Sequence, residues 1–239
     1  MKFQNILVPI DFSEFSSNAL NYAIGLAEKF HSKLILLHAV VLFEDDVNEE
    51  QRLQEYEEWV RKREKNINAH MKEKIVRLSP IPVLSVHRSV QNFRIENIIA
   101  PIDFSIYSKN AADYAISIAE NFKAQVNFIH VIEKEIHPSF YASGVESIFQ
   151  IDTGLQDRVI QNMQGFLEEQ LNSDIKPRFM VKEGHAHREI VEYAKEEKAD
   201  LIVISTHGLT GLEYLLLGST TEKVVRWASC PVLTLKTNK

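Results

Sequence analysis

Between Ser205 and Thr221 the chain reads S-T-H-G, nine residues, then G-S-T-T. It follows the apolar run "DLIVI" and precedes the helical pattern "TEKVVRWAS". Gly208 permits a backbone conformation that a side chain would resist. Gly218 and Ser219 stand at the start of the next helix, where four amides lack intrahelical partners. Those amides and the positive end of the helix dipole suit an anion. Two glycine turns facing one another, one at a strand end and one at a helix start, can wrap a polyphosphate. The plainer reading is that Gly208 and Gly211 end a strand and that Gly218 with Ser219 is a helix cap. Neither G-x-G-x-x-G nor G-x-x-x-x-G-K-[ST] occurs, which excludes the usual dehydrogenase and P-loop signatures.

A second chemical element is Asp103, at the end of "IIAPID". A carboxylate there can accept from an adenine amine or a ribose hydroxyl, or it can cap the turn that follows. Its twin Asp11, in "ILVPID", keeps the capping alternative open. His207 lies within the glycine stretch, in reach of a phosphate. His185 and His187 in "GHAHREI" lack a carboxylate or Cys at ligand spacing, so turn and capping roles are expected before metal binding. His38 and His130 end equivalent strands and read as satisfied, partly buried histidines. Cys230 reads as a small packing residue. No residue set points to catalysis or to a metal.

The elements that must position these groups come in duplicate. "ILVPIDFS" (6–13) returns as "IIAPIDFS" (98–105), an offset of 92. At that offset "NALNYAIGLAEKF" and "NAADYAISIAENF" agree at eight of thirteen positions, and "KLILLHAV" aligns with "QVNFIHVI". Each copy reads as strand, helix, strand, with both strands buried, so a parallel α/β sheet is predicted. Later the copies part. "EKIVRLSPIPVLSVH" matches "EKVVRWASCPVLTLK" with Pro82 against Pro231, an offset of 149, so the first copy is 57 residues short. It lacks one strand–helix–strand stretch and the glycine loop. The charged segment 48–72, with Leu53, Tyr56, Val60 and Ile67 on one face, reads as an amphipathic cover on the sheet or a partner-binding helix. "HPSFYASGVESIFQ" (137–150) is a lid or an interaction surface. The boundary between units is expected in "HRSVQNFR" (87–94).

The bulk numbers agree with a soluble globular chain. Its 239 residues are 45% hydrophobic and 25% charged, with a net charge of −6 that argues against nucleic acid as partner. One cysteine excludes an intramolecular disulfide and fits a reducing cytoplasm. Neither a leader pattern nor an apolar run of about 18 residues is present, so no membrane partner is expected.

"PIDFS", "HVI", "STHG-x9-GST" and the closing "CPVLTLK" together resemble the universal stress protein family, over residues 1–88 in shortened form and 94–239 in full. The resemblance implies two tandem Rossmann-like units of the adenine nucleotide alpha hydrolase-like kind. The second would be five-stranded with strand order 3-2-1-4-5, and the first truncated, with a small sheet of three strands. One subgroup of the family binds ATP through G-x-x-G-x9-G-[ST]. Carried over, Pro101, Ile102, Asp103 and Val131 would meet adenine and ribose; Gly208, Gly218, Ser219 and Thr220 would meet the phosphates of ATP, with magnesium. Ser205 stands where that motif has its first glycine, and its hydroxyl could donate to a ribose or phosphate oxygen. The first unit, without a cradle, would not bind. Family members pair through their last strands, which implies an internal pseudo-dimer through "PVLSV" and "PVLTL", with a homodimer as a further expectation. The function implied is a cytoplasmic stress-response sensor or signalling module. Weak ATP hydrolysis and a nucleotide-free scaffold are the alternatives; no Walker-type lysine or evident general base supports the enzyme.

Overall fold

A computed structural model describes residues 3–38, 75–76, 79–86, 93–133, 147–172, 175–206 and 218–236. The segment 48–72, most of 137–150 and nearly all of 87–94 lie outside them. The first unit supplies β1 (Asn5–Pro9), α1 (Glu14–Phe30), β2 (Lys33–Leu37) and β3 (Val83–Ser85). The second supplies β4 (Asn97–Pro101), α2 (Ile106–Phe122), β5 (Gln125–Ile132), α3 (Ile148–Ile151), α4 (Leu155–Phe166), β6 (Arg178–Glu183), α5 (Ala186–Glu196), β7 (Leu201–Ser205), α6 (Ser219–Trp227) and β8 (Val232–Leu235).

The duplication extends to backbone detail. In both copies the Asp-Phe-Ser turn holds its Phe in the left-handed region, Phe12 and Phe104 each at φ 62°. The Ser that follows then caps the helix: Ser13 accepts from Ser16 N and Ser105 from Ser108 N, each at 3.1 Å. Both helices end in left-handed residues, His31 and Lys123.

β4 to β8 form a parallel sheet in the order β8-β7-β4-β5-β6, which is the predicted 3-2-1-4-5. Strand alternation divides its apolar residues between two faces. Ile98, Ala100, Val126, Phe128 and Val203 pack under α2 and α4. Ile99, Ile129, Ile202, Ile204 and Val232 pack under α5 and α6. Both faces are covered, which is why these strands read as nearly continuous apolar runs.

The first unit departs from expectation. Among the described residues its own sheet has two strands, β1 and β2, not three. β3 instead adds antiparallel to β8 as a sixth strand of the larger sheet. The physical reason is the 57-residue deficit: in the complete unit β7 lies between β4 and β8, and among the described residues of the first unit there is no counterpart to bridge β1 and β3. The closing segments "PVLSV" and "PVLTL" do meet, as expected. Their pairing is symmetric: Leu84 faces its own twin Leu233, while Val83 faces Thr234 and Ser85 faces Val232.

The units also touch through aromatic rings. Phe3 packs on Tyr114, Phe30 on Phe122, and Phe93 between Tyr22 and Phe122. Tyr22 is buried there, and burial, with Asp200 nearby, pushes its hydroxyl up to about 12. Burial likewise holds Tyr193 and Cys230 at about 12. All three are raised above their ordinary 10.0, 10.0 and 9.0. A raised folded-state value means the folded chain holds its proton while the unfolded chain releases it. Stability is therefore expected to be unaffected by these groups below pH 9 and to fall as pH rises from 9 toward 12. Denaturant unfolding measured across that window checks this, with tyrosinate absorbance rising together with unfolding for Tyr22 and Tyr193.

One buried side chain works against the core. Asn127 in β5 is wholly buried, and its Oδ1 has no partner among the described residues. Its Nδ2 reaches Ile98 O only at 3.5 Å. Its twin at the offset of 92 is Ile35. Asn127→Val, which removes the unsatisfied oxygen, is expected to raise unfolding free energy by about 1 kcal/mol, read from chemical denaturation.

Candidate functional site

The strand order reverses at β4: the chain proceeds to β5 and β6 on one side and then to β7 and β8 on the other. Open α/β sheets bind ligands outside the carboxyl ends of the strands at such a point. Five of the sequence-predicted residues converge here. Pro101 ends β4, Ile102 and Asp103 follow it, Val131 lies near the end of β5, and Ser205 ends β7. Ile98 pairs with Leu201 and Ile99 with Ile202; continued upward, this register sets Asp103 level with Thr206. On the other side Pro101 pairs with Ile129, which brings Val131 level with Asp103.

Asp103 Oδ1 accepts from Ser105 N at 3.0 Å and from Ser105 Oγ at 2.6 Å. Asp11 does the same with Ser13 N at 2.9 Å, and hydrogen bonds from Ser13 hold its carboxyl below the usual range. The turn-capping role left open from the sequence is thus present in both units. His130 Nδ1 bonds Ile102 O at 2.7 Å and His38 Nδ1 bonds Ile10 O at 2.6 Å, so both strand-end histidines are engaged. His130 is half-buried beside α4; His38 is exposed, against expectation, and among the described residues of the first unit no helix is placed as α4 is. In the second unit that helix contributes Phe166 against Phe104, which covers His130.

The mouth of the glycine loop is stapled by backbone and hydroxyl groups. Gly218 N donates to Thr206 O at 2.9 Å, closing the two ends of 207–217 onto each other. Thr206 N and Thr206 Oγ1 both donate to Leu235 O, at 2.9 and 3.2 Å. Thr221 Oγ1 donates to Ser205 O at 2.7 Å, tying the first turn of α6 to the end of β7. Ser205 is buried in strand geometry without positive φ, so this motif position makes no demand that only glycine meets. Gly218 has an ordinary φ of −55°, and what disfavours a side chain is proximity: a Cβ there would lie 3.2 Å from Thr206 O. His207 and Gly208 lie outside the described residues.

Gly218 is the N-cap of α6, and among the described residues no side chain caps this helix. The cap reading thus holds for Gly218, while Ser219 is the first helical residue, exposed, with Thr220 half-buried behind it. The first-turn amides of α6 point out of the helix start beside the loop mouth, where an anion can accept from them. Thr206 and Thr221 escaped the sequence reading. Their hydroxyls flanking the glycine stretch were visible, but the carbonyls they seek lie 29 and 16 residues away, respectively.

At the start of α5, His185 is the N-cap but makes no side-chain cap bond; Glu133 Oε1 accepts from Ala186 N instead, at 2.8 Å. His187 packs on Trp227, and burial, then Lys223, holds it below its ordinary value. Among the described residues no three His, Cys, Asp or Glu side chains are placed to hold a metal. Of the 137–150 segment, 147–150 are described: Ser147 Oγ and Ile148 N donate to the Glu183 carboxylate at the end of β6.

Against known proteins, residues 2–80 and 94–236 match the Universal stress protein family. Universal stress protein MJ0531 of Methanocaldococcus jannaschii is 37% identical over 156 residues, 65% of this chain and 89% of that protein. A universal stress protein from Archaeoglobus fulgidus has a TM-score of 0.60, covering 100% of this chain and 98% of its own at 16% identity. PA1789 from Pseudomonas aeruginosa, described as functionally unknown, has a TM-score of 0.64, with 98% and 92% covered at 22% identity. These two structures establish likeness of fold alone.

Proposed function

The chain belongs to the universal stress protein family, and we propose that it binds ATP, or a related adenine nucleotide, in its second unit and acts as a stress-response sensor or signalling module of the cytoplasm. In this reading residues 94–239 are the complete domain and 1–88 a degenerate one, packed on it as an internal pseudo-dimer. The observation that carries the reading is the loop mouth: amides without a described side-chain cap at the start of α6, beside a glycine whose Cβ would crowd Thr206 O at 3.2 Å, at the sheet's switch point.

The residues present fit a nucleotide. The amides and hydroxyls of Ser219 and Thr220 would take phosphate oxygens, with His207 and Gly208 contributed by the loop. Pro101 and Val131, both half-buried, offer apolar walls for a base, while Ile102 is buried in the core and anchors the turn that carries Asp103. Asp103, fixed by Ser105, can accept from a ribose hydroxyl or an adenine amine. Bound ATP, with magnesium, would supply a polyphosphate whose charge the helix start favours. No helix among the described residues is long and apolar enough to cross a membrane.

Saturating ATP with magnesium is expected to raise the unfolding temperature, the rise growing with the logarithm of nucleotide concentration. A midpoint unmoved at millimolar ATP speaks for a nucleotide-free scaffold. An equal rise with GTP removes adenine from the reading.

A further inference from the structure

The strand that anchors the loop mouth is shared with the first unit. β8 is paired on one side with β7 and on the other with β3. Thr234 Oγ1, deeply buried, donates across that second pairing to Val83 O at 3.1 Å. The next residue of β8, Leu235, offers the carbonyl on which Thr206 is doubly held. Thr206 O in turn accepts from Gly218 N. A short series of bonds therefore leads from a strand of the first unit to the first turn of α6.

We propose that the first unit is a positioning element for the nucleotide site of the second: β3, by pairing with β8, holds Leu235 and through it Thr206 and the loop mouth. The inference rests on the reading of that mouth as an adenine-nucleotide site. It gives a role to a unit that has no cradle of its own. β8 has four residues, and Leu235 is its last. Without β3 it would be an edge strand with unpaired groups along one side, and short edges open locally at low cost. Opening there frees Leu235 O, so Thr206 loses the acceptor for both its amide and its hydroxyl. Val83, Leu84 and Thr234 are positioning residues; none belongs to the loop or to the first turn of α6.

Coupling of this kind is reciprocal: if β3 favours nucleotide binding, nucleotide must favour the paired β3. Two measurements on the full chain test it, with ATP and magnesium as the probe. Ser85→Pro, which removes the amide that faces β8 across the Ser85–Val232 pair, is expected to weaken ATP binding at least about fivefold, while Ser85→Ala, which keeps that amide, binds as the unsubstituted protein does. Hydrogen exchange at the Val83 and Ser85 amides is expected to slow on adding ATP, and not to slow in Gly218→Val. A β3 with a merely structural role would show no such response to ligand. If Ser85→Pro does not fold, Thr234→Val takes its place, since it deletes only the hydroxyl bond to Val83 O. A folded Ser85→Pro or Thr234→Val chain with unchanged affinity overturns the inference. So does β3 exchange indifferent to ATP in a protein that binds it. Absence of ATP binding in the unsubstituted chain is a separate outcome: it overturns the site reading and this inference with it.

Discussion

A chain carrying Gly218→Val is expected to fold and to have lost ATP binding. The added Cβ would stand 3.2 Å from Thr206 O, and the branched methyls have less room still. Thr206 O and Gly218 N, bonded at 2.9 Å, are expected to shift apart to relieve the contact, and the start of α6 moves with them. The amides of Ser219 and Thr220 are the groups displaced. Two hydrogen bonds to a charged ligand at about 1.5 kcal/mol each correspond to roughly a hundredfold in affinity. The helix itself survives, because Thr221, Val224 and Val225 remain buried beneath it. Titration with a fluorescent ATP analogue beside a circular dichroism melt reads both quantities. Ser219→Ala is the contrasting change: the side chain is exposed and its backbone amide stays in place, so the loss should be far smaller.

The second large effect concerns how the units are held together. Glycine in a helix interior usually costs about 1 kcal/mol relative to alanine, so Gly→Ala there usually stabilises. At Gly25 in α1 the sign should reverse. A Cβ would lie 2.1 Å from Cδ1 of Phe93, whose ring is held between Tyr22 and Phe122. Gly25→Ala is expected to cost about 2 kcal/mol, as overpacking of an ordered contact does. In a Phe93→Ala background the obstruction is gone, and the same substitution should stabilise by up to about 1 kcal/mol. A double-mutant cycle in denaturant measures the coupling. Equal effects of Gly25→Ala in the two backgrounds would mean that the ring does not pack on this helix as described.

How much of this was legible beforehand depended on whether a residue's partner lay close in sequence. "PIDFS" announced its structure twice, and the two copies share a left-handed Phe and a Ser cap to within a few degrees and tenths of an ångström. The buried parallel strands were visible in "IIAPI" and "DLIVI" as unbroken apolar runs. Strand order came from family resemblance; no single residue encodes it. The capping role of Asp103 was hinted at by its twin Asp11, and the same acceptor geometry in both bears that out. The fate of β3 was only half legible. Its partner segment was named correctly, but a three-stranded first sheet was expected, because the sequence shows a missing strand without showing which neighbour it would have bridged. Thr206 and Gly25 were passed over for the same reason: their importance lies in a carbonyl and a ring brought near by folding.

The central claim is one adenine-nucleotide site, in the second unit. Isothermal titration calorimetry of the purified full chain with ATP and magnesium tests it most directly. The expected result is saturable heat with about one site per chain, absent in Gly218→Val. No heat from a folded chain free of co-purified nucleotide would contradict the claim. Two sites per chain would contradict its other half, that the first unit does not bind.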